Sequence, residues 1–151
     1  ERGGVLVGWR EDGGRRAPGA GTLEGCGVEA DVRVMSAQRG PARVAGFVTG
    51  GRDAGYSAII CGAGMAAHLA GAAAAHTTLP VIGIPLSGGA INGWDALLAT
   101  VQMPRGIPVA TVAVDGAMNA ALLAVQMLAV DDPGLADALA AHREEMVPRR
   151  P

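Results

Sequence analysis

The chain has no lysine; all 12 of its basic residues are arginine. A Schiff-base lysine and a phosphate-loop lysine are therefore excluded from any mechanism. Aromatic residues are nearly as scarce, with two Trp, one Tyr and one Phe in 151 residues, although half of the chain is hydrophobic. A core must then be assembled from Ala, Val, Leu, Ile and Met, and the 24 glycines permit close backbone contacts within it. The two cysteines, Cys26 and Cys61, form neither a CxxC motif nor a metal-ligand spacing, so they read as reduced, buried thiols. A formal net charge of −2 gives no basic footprint for nucleic acid or for an anionic membrane. Long apolar runs are missing as well. Ala117 to Val130 is interrupted by Asn119 and Gln126 and is too short to span a bilayer, and Gly3 to Gly8 is too short and glycine-rich for a signal peptide. These absences predict a soluble, cytoplasmic protein without a metal site, and the length predicts one domain over residues 1–151.

Short β-branched runs alternate with helix-like stretches. Val5 to Val7, ending at Gly8, reads as a first strand. Glu29 to Met35, Tyr56 to Cys61, Val81 to Pro85 and Pro108 to Val114 read as four more. Pro41 to Gly50, Met65 to Ala75, Gly93 to Val101 and Ala117 to Leu128 read as helices, and so does Pro133 to Met146, with Leu135, Leu139 and His142 at helical spacing. Strands separated by helices predict an α/β fold, a parallel sheet covered on both faces. The first connection, Arg10 to Gly25, carries Pro18, Gly19 and Gly21, which predicts a short or broken helix, or a loop. Residues 146–151 read as a frayed tail.

The segment Gly62-Ala63-Gly64-Met65-Ala66-Ala67 fits the dinucleotide fingerprint G-x-G-x-x-A. That site also wants an acidic residue at the end of the next strand, and Val81 to Leu86 has none, so a tight, anion-friendly βα turn is the expectation in place of a nicotinamide site. His68 lies on the first turn of the helix that follows. It serves packing there, or works at the strand edge where α/β sheets bind ligands. Arg39, in Ser36-Ala37-Gln38-Arg39-Gly40-Pro41, either pairs with a phosphate or forms a surface ion pair. Asp12 either receives a ribose hydroxyl or caps a helix, and Asp95 supports the helix near Ala96. No Ser-His-Asp set, HExxH motif or spaced carboxylate pair is present. The residues alone thus predict an α/β domain with a site for a small anionic molecule.

Several blocks together resemble one family. GAGMAAHLAG (62–71), LPVIGIPL (79–86), GWDALLATVQMPRGIPVATVAV (93–114) and NAALLAVQML (119–128) are similar to the N5-carboxyaminoimidazole ribonucleotide mutases and aminoimidazole ribonucleotide carboxylases, the PurE family of purine biosynthesis. MSAQRGP (35–41) is similar to that family's S-A-H-R-x-P loop. The resemblance implies a three-layer α/β/α, flavodoxin-like subunit assembled into a homo-octamer, with sites at subunit junctions and the C-terminal helix packed on a neighbour. It implies no metal and no organic cofactor. It implies transfer of a carboxyl group from N5 to C4 of the ribonucleotide, or direct use of CO2. CO2 would be held beside the glycine-rich turn, and a histidine of the S-A-H-R loop would handle the proton. Position by position, Arg39 and Ser36 match the phosphate-side loop, while Gly8 and Asp12 match the nucleotide-binding first loop. Gly62, Ala63, Gly64, Met65, Ala66 and Leu69 fall on the CO2-side turn, and His68 on that turn's histidine.

The departures are chemical. Gln38 stands at the proton-transferring histidine, and glutamine has no group that titrates near neutral pH, a loss typically worth on the order of 10²- to 10⁴-fold in rate. Trp9 and Glu11 replace two serines of the phosphate loop, Met65 replaces a glycine, Ala70 a proline and Ala96 a serine. Three readings follow. The first is a family enzyme that carboxylates or decarboxylates a related electron-rich heteroaromatic; the second is the purine mutase itself with a compensated site. In the third, the chain is a non-catalytic structural or regulatory partner of a paralogous subunit.

Overall fold

A computed structural model describes residues 2–7 and 17–148. In chain order these form β1 (Arg2–Val7), α1 (Ala17–Gly25), β2 (Glu29–Val34), α2 (Pro41–Thr49), β3 (Ala58–Gly64), α3 (Leu69–Ala74), β4 (Val81–Leu86), α4 (Trp94–Val101), β5 (Ala110–Thr111), α5 (Ala117–Leu128) and α6 (Pro133–Glu145). The expected first-loop positions Gly8, Trp9, Glu11 and Asp12 lie outside the described residues, as do 149–151 of the tail. All four strand pairings are parallel, in the order β2-β1-β3-β4-β5. The chain is a three-layer α/β/α sandwich with the flavodoxin-like strand order; the alternation of runs predicts the covered parallel sheet, and the family resemblance implies the rest.

The pleat of β3 and β4 sorts the core into two layers. Ile60, Ile82 and Ile84 pack with Leu23 of α1, with Ala117, Ala120, Ala121, Ala124 and Val125 of α5, and with Leu135 of α6. Ile59, Cys61 and Val81 face the other way, onto Val44 and Val48 of α2 and Leu69, Ala70 and Ala73 of α3. Alanine along α3 and α5 supplies little area per residue but lets the helices sit close to the sheet. The single Phe and single Tyr support one another, with the Phe47 and Tyr56 rings 5.3 Å apart. The Tyr56 hydroxyl donates to Asp31, which also pairs with Arg33 at 2.7 Å and ties down the edge strand β2.

The first connection carries a short helix, one of the forms expected there, while β3 and β5 differ from their expected bounds for local reasons. In α1, Pro18 sits in the first turn, where its missing N–H is not needed. Gly19 lies so close to α5 that a Cβ there would be 2.9 Å from the Ala117 carbonyl oxygen, so the residue that weakens the helix also allows the contact. β3 does not stop at Cys61. It runs through Gly62, Ala63 and Gly64, paired with Ile84, Pro85 and Leu86. β5 is two residues long instead of Pro108 to Val114. The Gly83 carbonyl still accepts from Val112 N (3.3 Å) and the Pro85 carbonyl from Asp115 N (2.8 Å), but Pro85 has no N–H to return, so the ladder cannot continue.

Gly83 marks the tightest packing of helix on sheet. A Cβ there would lie 2.3 Å from Thr100 Cγ2 and 3.2 Å from both Ala70 and Val109 side chains. Thr100 is itself fixed, buried with its hydroxyl on the Ala96 carbonyl at 2.7 Å. Gly83→Ala is therefore expected to destabilise the fold by about 1–3 kcal/mol through overpacking, read as a lowered urea midpoint with an unchanged slope. Cys61 supplies a second expectation. Its thiol is buried in β3, and burial pushes its pKa up. Above about pH 8.5 the unfolded thiol ionises while the native one keeps its proton, so stability falls as pH rises, by about 1.4 kcal/mol per unit. Between pH 7.5 and 10, Cys61→Ala should lose about 2 kcal/mol less stability than the unaltered chain, measured by urea denaturation at both values.

Candidate active site

β2, β3 and β4 end along the same edge of the sheet, and the loops that leave them converge on one cleft of about 530 Å³ at that C-terminal edge. This is the edge at which open parallel sheets bind ligands. The chain also leaves β1 here, at Val7, between the ends of β2 and β3.

The first wall is the turn after β2. Ser36 closes it in two ways, its carbonyl accepting from Gly40 N at 3.0 Å and its hydroxyl from Arg39 N at 3.2 Å. Pro41 at the start of α2 ends the turn. The result presents Ser36, Ala37, Gln38 and Arg39 along one side of the cleft.

The second wall follows β3. Ala63 and Gly64 belong to the strand, and Met65 then takes a positive φ of 52°. A non-glycine residue in this region costs on the order of 1–2 kcal/mol, and the conformation stops a helix from starting at Met65. Tight contacts follow, Ala67 N to the Met65 carbonyl at 2.8 Å and His68 N to the Ala66 carbonyl at 2.7 Å. α3 thus begins at Leu69, and His68 is its N-cap residue rather than part of its first turn. The Met65 side chain reaches across to the third wall, where a Cβ on Gly89 would lie 3.1 Å from Met65 Cγ.

The third wall is Ser87, Gly88 and Gly89 after β4. Asp115 holds Ser87 from the end of the next strand, its carboxylate accepting from Ser87 N (2.9 Å) and from Ser87 Oγ (2.5 Å). Asp115 manages this from a positive φ of 60°. The two glycines also have positive φ, 147° and 64°, which a bulkier residue would resist.

Of the residues expected from sequence, Ser36, Gln38, Arg39, Ala63, Gly64, Met65, Ala66, His68 and Leu69 line this one cleft. Gly62 sits a residue deeper in β3, where a Cβ would lie 3.5 Å from Leu86 Cδ1, and is not part of the lining. Ala37, Ser87, Gly88 and Gly89 were not anticipated. For Ser87, Gly88 and Gly89 the signal was the Ser-Gly-Gly that follows the apolar run VIGIPL, a strand-to-turn boundary. Gln38 joins two walls: its Nε2 is 3.0 Å from the Ala66 carbonyl oxygen and 3.0 Å from His68 Nδ1. Among the described residues no three His, Cys, Asp or Glu side chains are grouped to hold a metal ion. No helix among them is long and apolar enough to cross a membrane. A second cavity, about 430 Å³, lies between α5 and α6 against Leu122, Leu139 and His142, and shares no residue with the cleft.

A family model described as AIR carboxylase matches residues 4–148. The N5-carboxyaminoimidazole ribonucleotide mutase of Brucella melitensis is 46% identical, over 97% of this chain and 94% of its own length. That of Pyrococcus abyssi is 45% identical over 95% of this chain and 82% of its own. The chloroplastic phosphoribosylaminoimidazole carboxylase of Vigna aconitifolia is 46% identical over 82% of this chain, which spans 22% of that larger protein. The crystal structure of Treponema denticola PurE superposes with a TM-score of 0.84 at 25% identity, covering 95% of this chain and 90% of the other. Fold, extent of match and identity agree, and the chain belongs to the AIR carboxylase family.

Proposed function

We propose that this chain transfers, adds or removes a carboxyl group on an aminoimidazole-ribonucleotide-like substrate, without metal or organic cofactor. The observation that carries the reading is the convergence of three strand-end loops on one cleft that holds Arg39, Gln38 and His68 together. Substantial identity to two mutases over most of their length supports the same chemistry.

The bond changes define what such a site needs. The N5–carboxyl bond breaks and N5 gains a proton, CO2 stays in place, C4 attacks it, and the C4 proton leaves. Net, one carboxyl group and one proton exchange places. Arg39 binds the phosphate as a cation in the turn after β2. The turn Gly64-Met65-Ala66 takes the CO2 side, where Met65 narrows the space against Gly89. Gln38 cannot ionise, so among the described residues of the cleft the side chain suited to proton work is His68. The apolar surface at and before α4 supports assembly into the family's homo-octamer, since Ile91, Trp94, Leu98 and Val101 are all exposed in the single subunit.

The exchange at Gln38 favours a second reading, a non-catalytic paralogue that keeps the nucleotide pocket. One experiment separates them. The purified chain is incubated with N5-carboxyaminoimidazole ribonucleotide, and separately with aminoimidazole ribonucleotide and bicarbonate, and the 4-carboxylated product is followed. Turnover is expected, with Arg39→Ala raising KM roughly 10- to 100-fold through loss of a charge-assisted phosphate contact. The same substitution should leave the affinity for the unphosphorylated nucleoside nearly unchanged. Binding of the ribonucleotide with no turnover would support the paralogue, and neither binding nor turnover would reject the substrate class.

A further inference from the structure

The contacts of Gln38 determine where His68 carries its proton. Gln38 Nε2 lies 3.0 Å from the carbonyl oxygen of Ala66, an atom that only accepts. The amide group facing it must therefore be the NH2 and not the oxygen, which settles the side chain's orientation by chemistry. The same NH2 lies 3.0 Å from His68 Nδ1. With one hydrogen on Ala66, its second is directed at the imidazole, and an amide NH2 has no capacity to accept. Nδ1 must then be the unprotonated nitrogen. A proton there would oppose two donors at hydrogen-bonding distance.

We infer that Gln38 is a positioning residue: its amide caps His68 Nδ1 and holds the ring as the Nε2–H tautomer. This rests on the carboxyl-transfer reading for its functional meaning, but not for its geometry. A histidine that relays a proton by giving from one nitrogen and receiving at the other needs both free. Here Nδ1 is occupied, so Nε2 must give the proton and recover it, acting at a single point on the substrate. The backbone supports this placement from two directions. His68 is fixed as the N-cap of α3, its carbonyl accepting from Ala72 N at 2.8 Å, and Gln38 sits in the turn closed by Ser36 and Gly40. The amide therefore ties the loop after β2 to the loop after β3 at the residue that handles the proton.

The test uses the intact chain labelled with ¹⁵N-histidine, of which there are three, His68, His76 and His142. His68 signals are assigned by their loss in His68→Asn. At a pH where the ring is neutral, ¹⁵N NMR is expected to show protonated Nε2 and a hydrogen-bonded, unprotonated Nδ1. Because free imidazole also favours this tautomer, the deciding readout is the change on substitution. In Gln38→Leu the Nδ1 signal should move toward that of a free acceptor nitrogen. Protonated Nδ1 in the unaltered chain, or an Nδ1 signal that does not move in Gln38→Leu, would overturn the inference. Neither outcome depends on substrate, so failure of the carboxyl-transfer assay leaves this result readable. Where turnover is measured, Gln38→Leu should lower kcat about three- to tenfold, the worth of the one hydrogen bond made to the ring.

Discussion

The register of β3 against β4 is the constraint on which the site depends. Ala63 pairs with Pro85 and Gly64 with Leu86, so both strands end at one level and release Met65 and Ser87 side by side. Slipping a strand by one residue would exchange its two faces, sending Ile60 toward α3 and Cys61 toward α5. The core forbids that, because both faces of both strands are buried. The loops are therefore positioned by apolar packing several residues away from any group that meets a ligand. Gly83 shows how tight the arrangement is: the centre of β4 has no room for even a methyl group beneath Thr100.

The same small-residue economy links composition to architecture. With almost no aromatic bulk, the core gains density by bringing backbones close, at Gly19 against α5 and at Gly83 against α4. The described backbone elements become rigid supports, and the few side chains with chemistry sit on turns between them. Each of the three turns has its own closure: Ser36 on Arg39 and Gly40, Met65 on Ala67, and Asp115 on Ser87. Asp115 is the instructive case, because it reaches the third wall from the end of the neighbouring strand. Loss of a β5 ladder beyond Thr111 frees the chain to make that crossing.

Most of the sheet was legible in the sequence because its signals are local. A β-branched run such as Val81 to Leu86 between turn residues needs no tertiary context to be read as a buried strand. What sequence reading missed was decided across strands. Gly62-Ala63-Gly64 has the composition of a turn and yet is strand, since Ile84, Pro85 and Leu86 offer it a partner. Pro108 to Val114 has the composition of a strand and yet is mostly not, since Pro85 cannot supply its half of the ladder. The start of α3 followed the same logic, a helical pattern overridden by one backbone conformation at Met65. At the site, Gln38, Arg39 and His68 were legible as a set because their blocks resemble a family, whereas Ser87 was not, because its role depends on Asp115, 28 residues away.

An amide at Gln38, where the family resemblance implies a histidine, would change the kind of control the cleft has over a proton. An imidazole at that position would exchange protons with its surroundings; an amide can only direct hydrogen bonds. Its NH2 is held by Ala66 on one side and His68 on the other, so the donor cannot turn away without breaking both contacts. Under the proposed carboxyl transfer, proton handling would be concentrated on one nitrogen of one ring, at a residue whose backbone is fixed at the start of α3. A shuttle between two groups tolerates small errors of placement, because either can take the proton. A single fixed donor does not, and in the proposed reaction its usefulness would depend on how well the substrate's N5 and C4 are brought to it. On that proposal, selectivity for the substrate's shape would follow from the same hydrogen bond that fixes the ring, and the narrowing of the cleft by Met65 over Gly89 would act in the same direction.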